Sequence, residues 1–102
     1  MERISYVLNI HLADQQEYIE RHQAVYPELL KALKDAGVHK YSIFMYGGIL
    51  FAYMEVDNFE KAMEEVDRNE ANQRWQQFMS DLLITNHLGT KIEVIPEVFH
   101  LE

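Results

Sequence analysis

The chain has 102 residues, enough for one domain built on one hydrophobic core, and its 48% apolar content is that of a globular protein. Its 17 acidic residues against 9 basic ones leave a formal charge of −8, which argues against a nucleic-acid backbone or an anionic membrane as the main partner and suits a neutral small molecule. The absence of cysteine removes disulfides and thiol catalysis and fits a cytoplasmic location.

Met1 to Ser5 leads straight into a strand pattern without an apolar leader core, and no run approaches membrane-spanning length. Ile4, Tyr6, Leu8, Ile10 and Leu12 alternate with Ser5, Asn9 and His11, as in a half-buried first strand. Asp14 stands where it can cap the helix that follows, and Glu17 completes a capping-box-like start. That helix runs to Asp35-Ala36, where Gly37 stops it. Pro27 lies inside it. The proline has no N–H and biases Tyr26 away from helical angles, so a kink or break is expected there.

Two strands follow, Val38 to Tyr46 and Ile49 to Val56, separated only by Gly47-Gly48, a hairpin signal. Asn58 then caps a short amphipathic helix from Phe59 to about Val66. A second helical segment, from about Glu70 to Leu83, carries Ala71, Trp75, Phe78, Met79 and Leu82 on one face. The acidic residues Glu60, Glu64, Glu65, Asp67 and Glu70 read as a solvated helix face. Asn86 to Gly89 reads as a loop. A last strand pattern, Lys91 to Leu101, is interrupted by Pro96, which marks an edge or a bulge.

The order β-α-β-β-α-β predicts an α+β fold, the ferredoxin-like sandwich with its helices on one sheet face, as a single domain over residues 1–102. Strand residues are large and apolar on both alternations: Phe44 and Tyr46 on one, Tyr41, Ile43 and Met45 on the other. The second sheet face therefore needs a cover, either a dimer partner or a cavity wall, and a homodimer of the dimeric α/β-barrel type is expected.

His22 is the residue whose position asks for a purpose. At helical spacing it falls in the stripe of Tyr18, Val25, Leu29 and Leu33. An imidazole on an apolar face needs a partner or a task, because an unpaired buried polar group costs free energy. Tyr18, one turn earlier, points a second proton-handling group the same way. A core histidine with a satisfied partner is the alternative that spacing leaves open. His11, His39, His87 and His100 lie in separate elements, without metal-ligand spacing.

Several segments together resemble the L-rhamnose mutarotase family. They are Glu17-Tyr18 through Arg21-His22 to Pro27-Glu28-Leu29; Gly37, His39 and Tyr41-Ser42-Ile43-Phe44; Leu50-Phe51-Ala52 with Glu55; Gln73-Arg74-Trp75 with Phe78-Met79; and the ending Glu97-Val98-Phe99-His100. The resemblance implies a small homodimer that interconverts the α and β anomers of a deoxyhexose without metal or cofactor. It implies His22 as proton donor, Tyr18 and Tyr41 as sugar contacts, and Trp75 as part of a sugar-stacking wall. Gln76 matches a binding position of the family by alignment. It could bond a sugar hydroxyl or simply face water, and His100 is a weaker second acid/base candidate.

The chemistry suits these types. Mutarotation opens a pyranose and recloses it on the other carbonyl face. A proton must reach the ring oxygen while one leaves the anomeric hydroxyl, and a group titrating near ~6.5 can do either. Phenols bond sugar hydroxyls without charge, and an indole covers the apolar side of the ring, including a 6-deoxy methyl. The chain departs from the family at Tyr26 and Gln76, where tryptophan is usual, at Tyr46, where an acid is usual, and in the loop Asn86 to Thr90. L-fucose or another 6-deoxyhexose is therefore an alternative substrate. A haem-handling or monooxygenase-like α/β barrel and a non-catalytic binding module are the competing classes.

Overall fold

The computed structural model describes all 102 residues. Strand β1 (Glu2–Ile10) is followed by a 3₁₀ turn (Leu12–Asp14) and two helices, α1 (Gln15–His22) and α2 (Pro27–Asp35). The hairpin β2 (Val38–Tyr46) and β3 (Ile49–Val56) leads to α3 (Phe59–Asp67) and α4 (Glu70–Met79), then to the short strands β4 (Leu83–Ile84) and β5 (Glu93–Ile95). The antiparallel sheet runs β2-β3-β1, and β4 and β5 share the far edge of β1. β4 pairs through Asn9↔Ile84 and Ile10↔Leu83, and β5 through Ser5↔Ile95 to Val7↔Glu93, so together they serve as the fourth strand of a ferredoxin-like sheet.

Register explains the core. Tyr6 faces Ala52 and Leu8 faces Leu50 across the β1–β3 ladder, so their inward side chains form one surface with Ile10, Met54 and Val56. Leu29 of α2, Ala62 of α3, and Ala71, Trp75 and Met79 of α4 pack with them. The other alternation stays open: Phe44 is 63% and Tyr46 77% exposed.

One irregularity bears on function. The β2–β3 register shifts between Val38 and Lys40, so Lys40 pairs with Glu55 and Tyr41 with Met54. An unbroken ladder from Val38↔Val56 would set Lys40 opposite Met54 and turn Tyr41 to the outer face. The extra residue, His39, reverses this and aims Tyr41, Ile43 and Met45 inward. His39 Nε2 lies 2.8 Å from Asp57 Oδ1, which ties the bulge to the end of β3.

The break at Pro27 is present: Tyr26 is extended (φ −57°, ψ 128°) and Pro27 opens α2 as a separate helix. Asn58 caps α3 as expected, its side chain accepting from Lys61 N–H. Three expectations are corrected. Asp14 makes no capping bond. It ends the 3₁₀ turn at φ −97°, ψ 5°, far from the extended geometry that aims an N-cap side chain at the helix. α4 stops at Met79 rather than Leu83, because Leu83 and Ile84 extend to pair with β1. The last strand is only Glu93–Ile95, not Lys91 to Leu101. Pro96 cannot donate to a ladder, and on the other side the loop is wound about Asn86, whose Oδ1 accepts from Leu88 N–H and Thr90 N–H. Beyond Pro96, Glu97 accepts two bonds from Arg3, at 2.8 and 2.9 Å.

Leu50, at 0% exposure, is the clearest probe of this packing. Leu50→Ala is expected to destabilise the chain by about 2–5 kcal/mol in denaturant titration. A loss under 1 kcal/mol would mean that the helices do not pack on β3 as described.

Candidate active site

The site is built from the end of α1. His22 is its last residue, and Gln23 N–H and Ala24 N–H close the final turn on the carbonyls of Glu20 and Arg21. His22 Nδ1 lies 3.0 Å from the Tyr18 carbonyl oxygen. A carbonyl only accepts, so Nδ1 carries the proton and, in the neutral ring, Nε2 carries the lone pair. Nε2 has no hydrogen-bond partner in the chain. The imidazole stacks on the Tyr18 ring, with centroids 4.2 Å apart and planes at 23°, and meets Trp75 edge-on at 5.2 Å and 89°. Tyr26 braces Trp75 from another direction at 5.3 Å and 86°. Burial pulls the His22 pKa below the ordinary imidazole value, and the bond to the Tyr18 carbonyl opposes it in part.

Arg21, next to His22, holds the helix in place. Its guanidinium bonds both carboxylate oxygens of Asp81 at 2.8 and 3.1 Å, the Phe78 carbonyl at 2.7 Å and Glu17 at 2.9 Å. It also lies 4.6 Å above the Phe78 ring. The clamp fastens α1 to the end of α4, the helix that supplies Trp75.

Between the helices and the sheet lies a cavity of about 860 Å³, lined by Tyr18, His22, Tyr41, Trp75 and Gln76 among others. These five residues, singled out in the sequence, therefore face one space. Tyr18 and Trp75 are buried, His22 is half-buried, Gln76 is exposed, and Tyr41 is partly exposed along its ring while its hydroxyl is held inside against that of buried Tyr6. Tyr6 also lines the cavity, and its hydroxyl bonds that of Tyr41. Burial raises the pKa of Tyr6, Tyr18 and Tyr41, so all three phenols keep their protons and act as neutral hydrogen-bonding groups.

Two lining residues were not legible as such. Tyr6 reads as an ordinary inward strand position; only its hydroxyl hinted at more. Asn72 is buried one turn before Gln76, whose Nε2 donates to Asn72 Oδ1 at 3.2 Å, and the amide spacing was the available signal. Of the other histidines, all exposed, His39 is among the residues lining the cavity, whereas His11, His87 and His100 lie outside its lining. No group of three or more His, Asp or Glu side chains could hold a metal ion, and no helix is long and apolar enough to cross a membrane. Among the departures, Tyr46 lies on the outer sheet face, Tyr26 packs against Trp75, and Gln76 alone adds a polar group to the cavity lining.

The family model described as L-rhamnose mutarotase matches residues 3–101. An L-rhamnose mutarotase of Bacillus subtilis is 37% identical over 105 residues, covering 100% of both chains. The crystal structure of L-rhamnose mutarotase from Formosa agariphila superposes with a TM-score of 0.84 at 32% identity, again over 100% of both chains. A dimeric ferredoxin-like protein from an uncultured marine organism, at 14% identity and a TM-score of 0.63 over 97% of each chain, shares the fold alone. Matched end to end by the family model and by relatives above the level at which likeness is only one of fold, the chain belongs to the L-rhamnose mutarotase family.

Proposed function

We propose that the protein interconverts the α and β anomers of L-rhamnose and that His22 carries the proton. The observation that supports this most is the fixed tautomer: Nδ1 is held by the Tyr18 carbonyl while Nε2 is unpartnered in a residue that lines the cavity. The lowered pKa makes neutral imidazole the resting form at neutral pH. Nε2 takes the proton of the anomeric hydroxyl as the bond from C1 to the ring oxygen breaks. The imidazolium then donates that proton to the ring oxygen, leaving the open-chain aldehyde. Rotation about the C1–C2 bond and the reverse transfers give the other anomer. The proton moves from one oxygen to the other, and the enzyme returns to its starting state.

The remaining groups bind and orient. Tyr18 and Tyr41 offer neutral hydroxyls, and Trp75 offers an indole to the apolar side of the ring and its C6 methyl. Gln76 offers an amide at the rim. The reaction needs no redox partner, and the family's metabolic sugar chemistry fits a cytoplasmic enzyme. We also read the protein as a homodimer joined through the outer sheet face, because Phe44, Tyr46 and Phe51 are exposed there together.

Saturation-transfer NMR on the anomers of L-rhamnose tests the activity. Wild-type protein should speed exchange, and His22→Gln should lower kcat by about 100-fold or more, the scale of a lost acid/base group. Unaltered exchange in His22→Gln would remove His22 from the chemistry. The pH profile adds a sign. A lowered pKa keeps the ring neutral further into acid, so kcat/KM should be flat near neutrality and fall only below the ordinary imidazole value. Activity that rises on acidification through that range would contradict the resting neutral form. For the dimer, Phe44→Asp combined with Tyr46→Asp should convert the species seen by sedimentation velocity to a monomer, and a wild type that is already monomeric would refute the interface.

A further inference from the structure

On α4 the cavity wall carries two amides beside its indole. Asn72, at 6% exposure, is the buried polar residue of the chain apart from its tyrosines and tryptophan. Its Oδ1 accepts from Gln76 Nε2, and both residues line the cavity with Trp75. That bond uses one oxygen and one nitrogen. Asn72 Nδ2 and Gln76 Oε1 have no partner in the chain. No side-chain polar atom that is fully shut off lacks a partner, so Asn72 Nδ2 is not sealed in the core, and its residue lines the cavity. The pair therefore presents one unused donor group and one unused acceptor side by side. Turning both amides over exchanges the two roles and leaves the same sum.

An apolar wall would hold a sugar's methyl group without this pair. Asn72 brings to a largely buried position a hydrogen-bonding capacity that a leucine of similar shape would not. A methyl neither donates nor accepts. A hydroxymethyl does both, and it does so from one oxygen. In the pose described above, C6 rests against Trp75, and Asn72 and Gln76 flank that indole on the same helix.

We propose that the cavity also accepts hexopyranoses that carry a hydroxyl on C6, with the Asn72–Gln76 pair gripping it. The O6 hydroxyl donates to the free amide oxygen and accepts from the free amide N–H. The inference rests on the mutarotase reading and on its C6 pose, and adds a substrate class to it. A cavity of about 860 Å³ has room for the extra oxygen. Asn72 and Gln76 become specificity-determining residues. They read the substituent that distinguishes a 6-deoxy sugar from its parent hexose, and a site built to bond a hydroxyl discriminates on its presence.

L-mannose tests this directly, because it differs from L-rhamnose only in bearing that hydroxyl. Wild-type protein should accelerate anomer exchange of both sugars. Asn72→Leu should lower the ratio of kcat/KM for L-mannose over L-rhamnose by about tenfold or more, mainly through KM, as expected for a lost hydrogen-bonding site. Gln76→Leu, at an exposed position that tolerates change, should lower the same ratio and covers the case in which Asn72→Leu fails to fold. Acceleration of L-rhamnose without L-mannose, or a ratio unmoved in the folded variants, would overturn the inference and leave the mutarotase reading standing. Acceleration of neither sugar would overturn that reading and this inference with it.

Discussion

A single hydrogen bond, from His22 Nδ1 to the carbonyl of Tyr18, decides which nitrogen of the imidazole is free. A histidine in water exchanges tautomers and rotates. This one does neither cheaply, because the bond fixes the proton on Nδ1 while the faces of Tyr18 and Trp75 fix the ring plane. Much of the surrounding structure serves that placement. The break before Pro27 ends α1 at His22. The Arg21 clamp on Asp81 and Phe78 holds the same helix against α4, so that Trp75 arrives at the ring's edge.

Burial and titration work against each other in such a site. Removing the imidazole from water disfavours its charged form, and the carbonyl bond restores part of what is lost. The result is a group that rests neutral yet can accept a proton briefly, which a reaction with no net proton change requires. The neighbouring phenols are shifted the opposite way. Burial keeps Tyr6, Tyr18 and Tyr41 protonated, so these neutral phenols do not compete with His22 for a proton. The acidic exterior and the mainly apolar cavity that His22 lines are compatible because Glu60 and Glu64 of α3 are exposed to solvent.

Period and punctuation made most of this legible. Alternation in β1 and β3, the Gly47-Gly48 hairpin and the Asn58 cap each acted through a local rule that the tertiary structure did not override. His22 and Tyr18 were visible because two polar rings fell on an apolar stripe. What escaped depends on relations between elements. The bulge at His39, which turns Tyr41 inward, leaves almost no mark in a strand whose residues are apolar on both sides. The length of β5 is set by Pro96 and by the Asn86 loop, not by the apolar pattern that continues to Leu101. Asp14 shows the converse case: a good capping residue went unused because the preceding 3₁₀ turn fixed its backbone elsewhere. Asn72 reads as an ordinary polar helix residue until the packing of α4 buries it.

The measurement that tests the account most directly is the tautomer and titration of His22 itself, followed by two-bond ¹H–¹⁵N correlation NMR as pH is varied. The account predicts a neutral ring protonated on Nδ1 and bare at Nε2, with a protonation midpoint below that of a free imidazole. A ring protonated on Nε2, or a midpoint above the free value, would contradict it, because Nε2 would then have no lone pair with which to begin the proposed reaction.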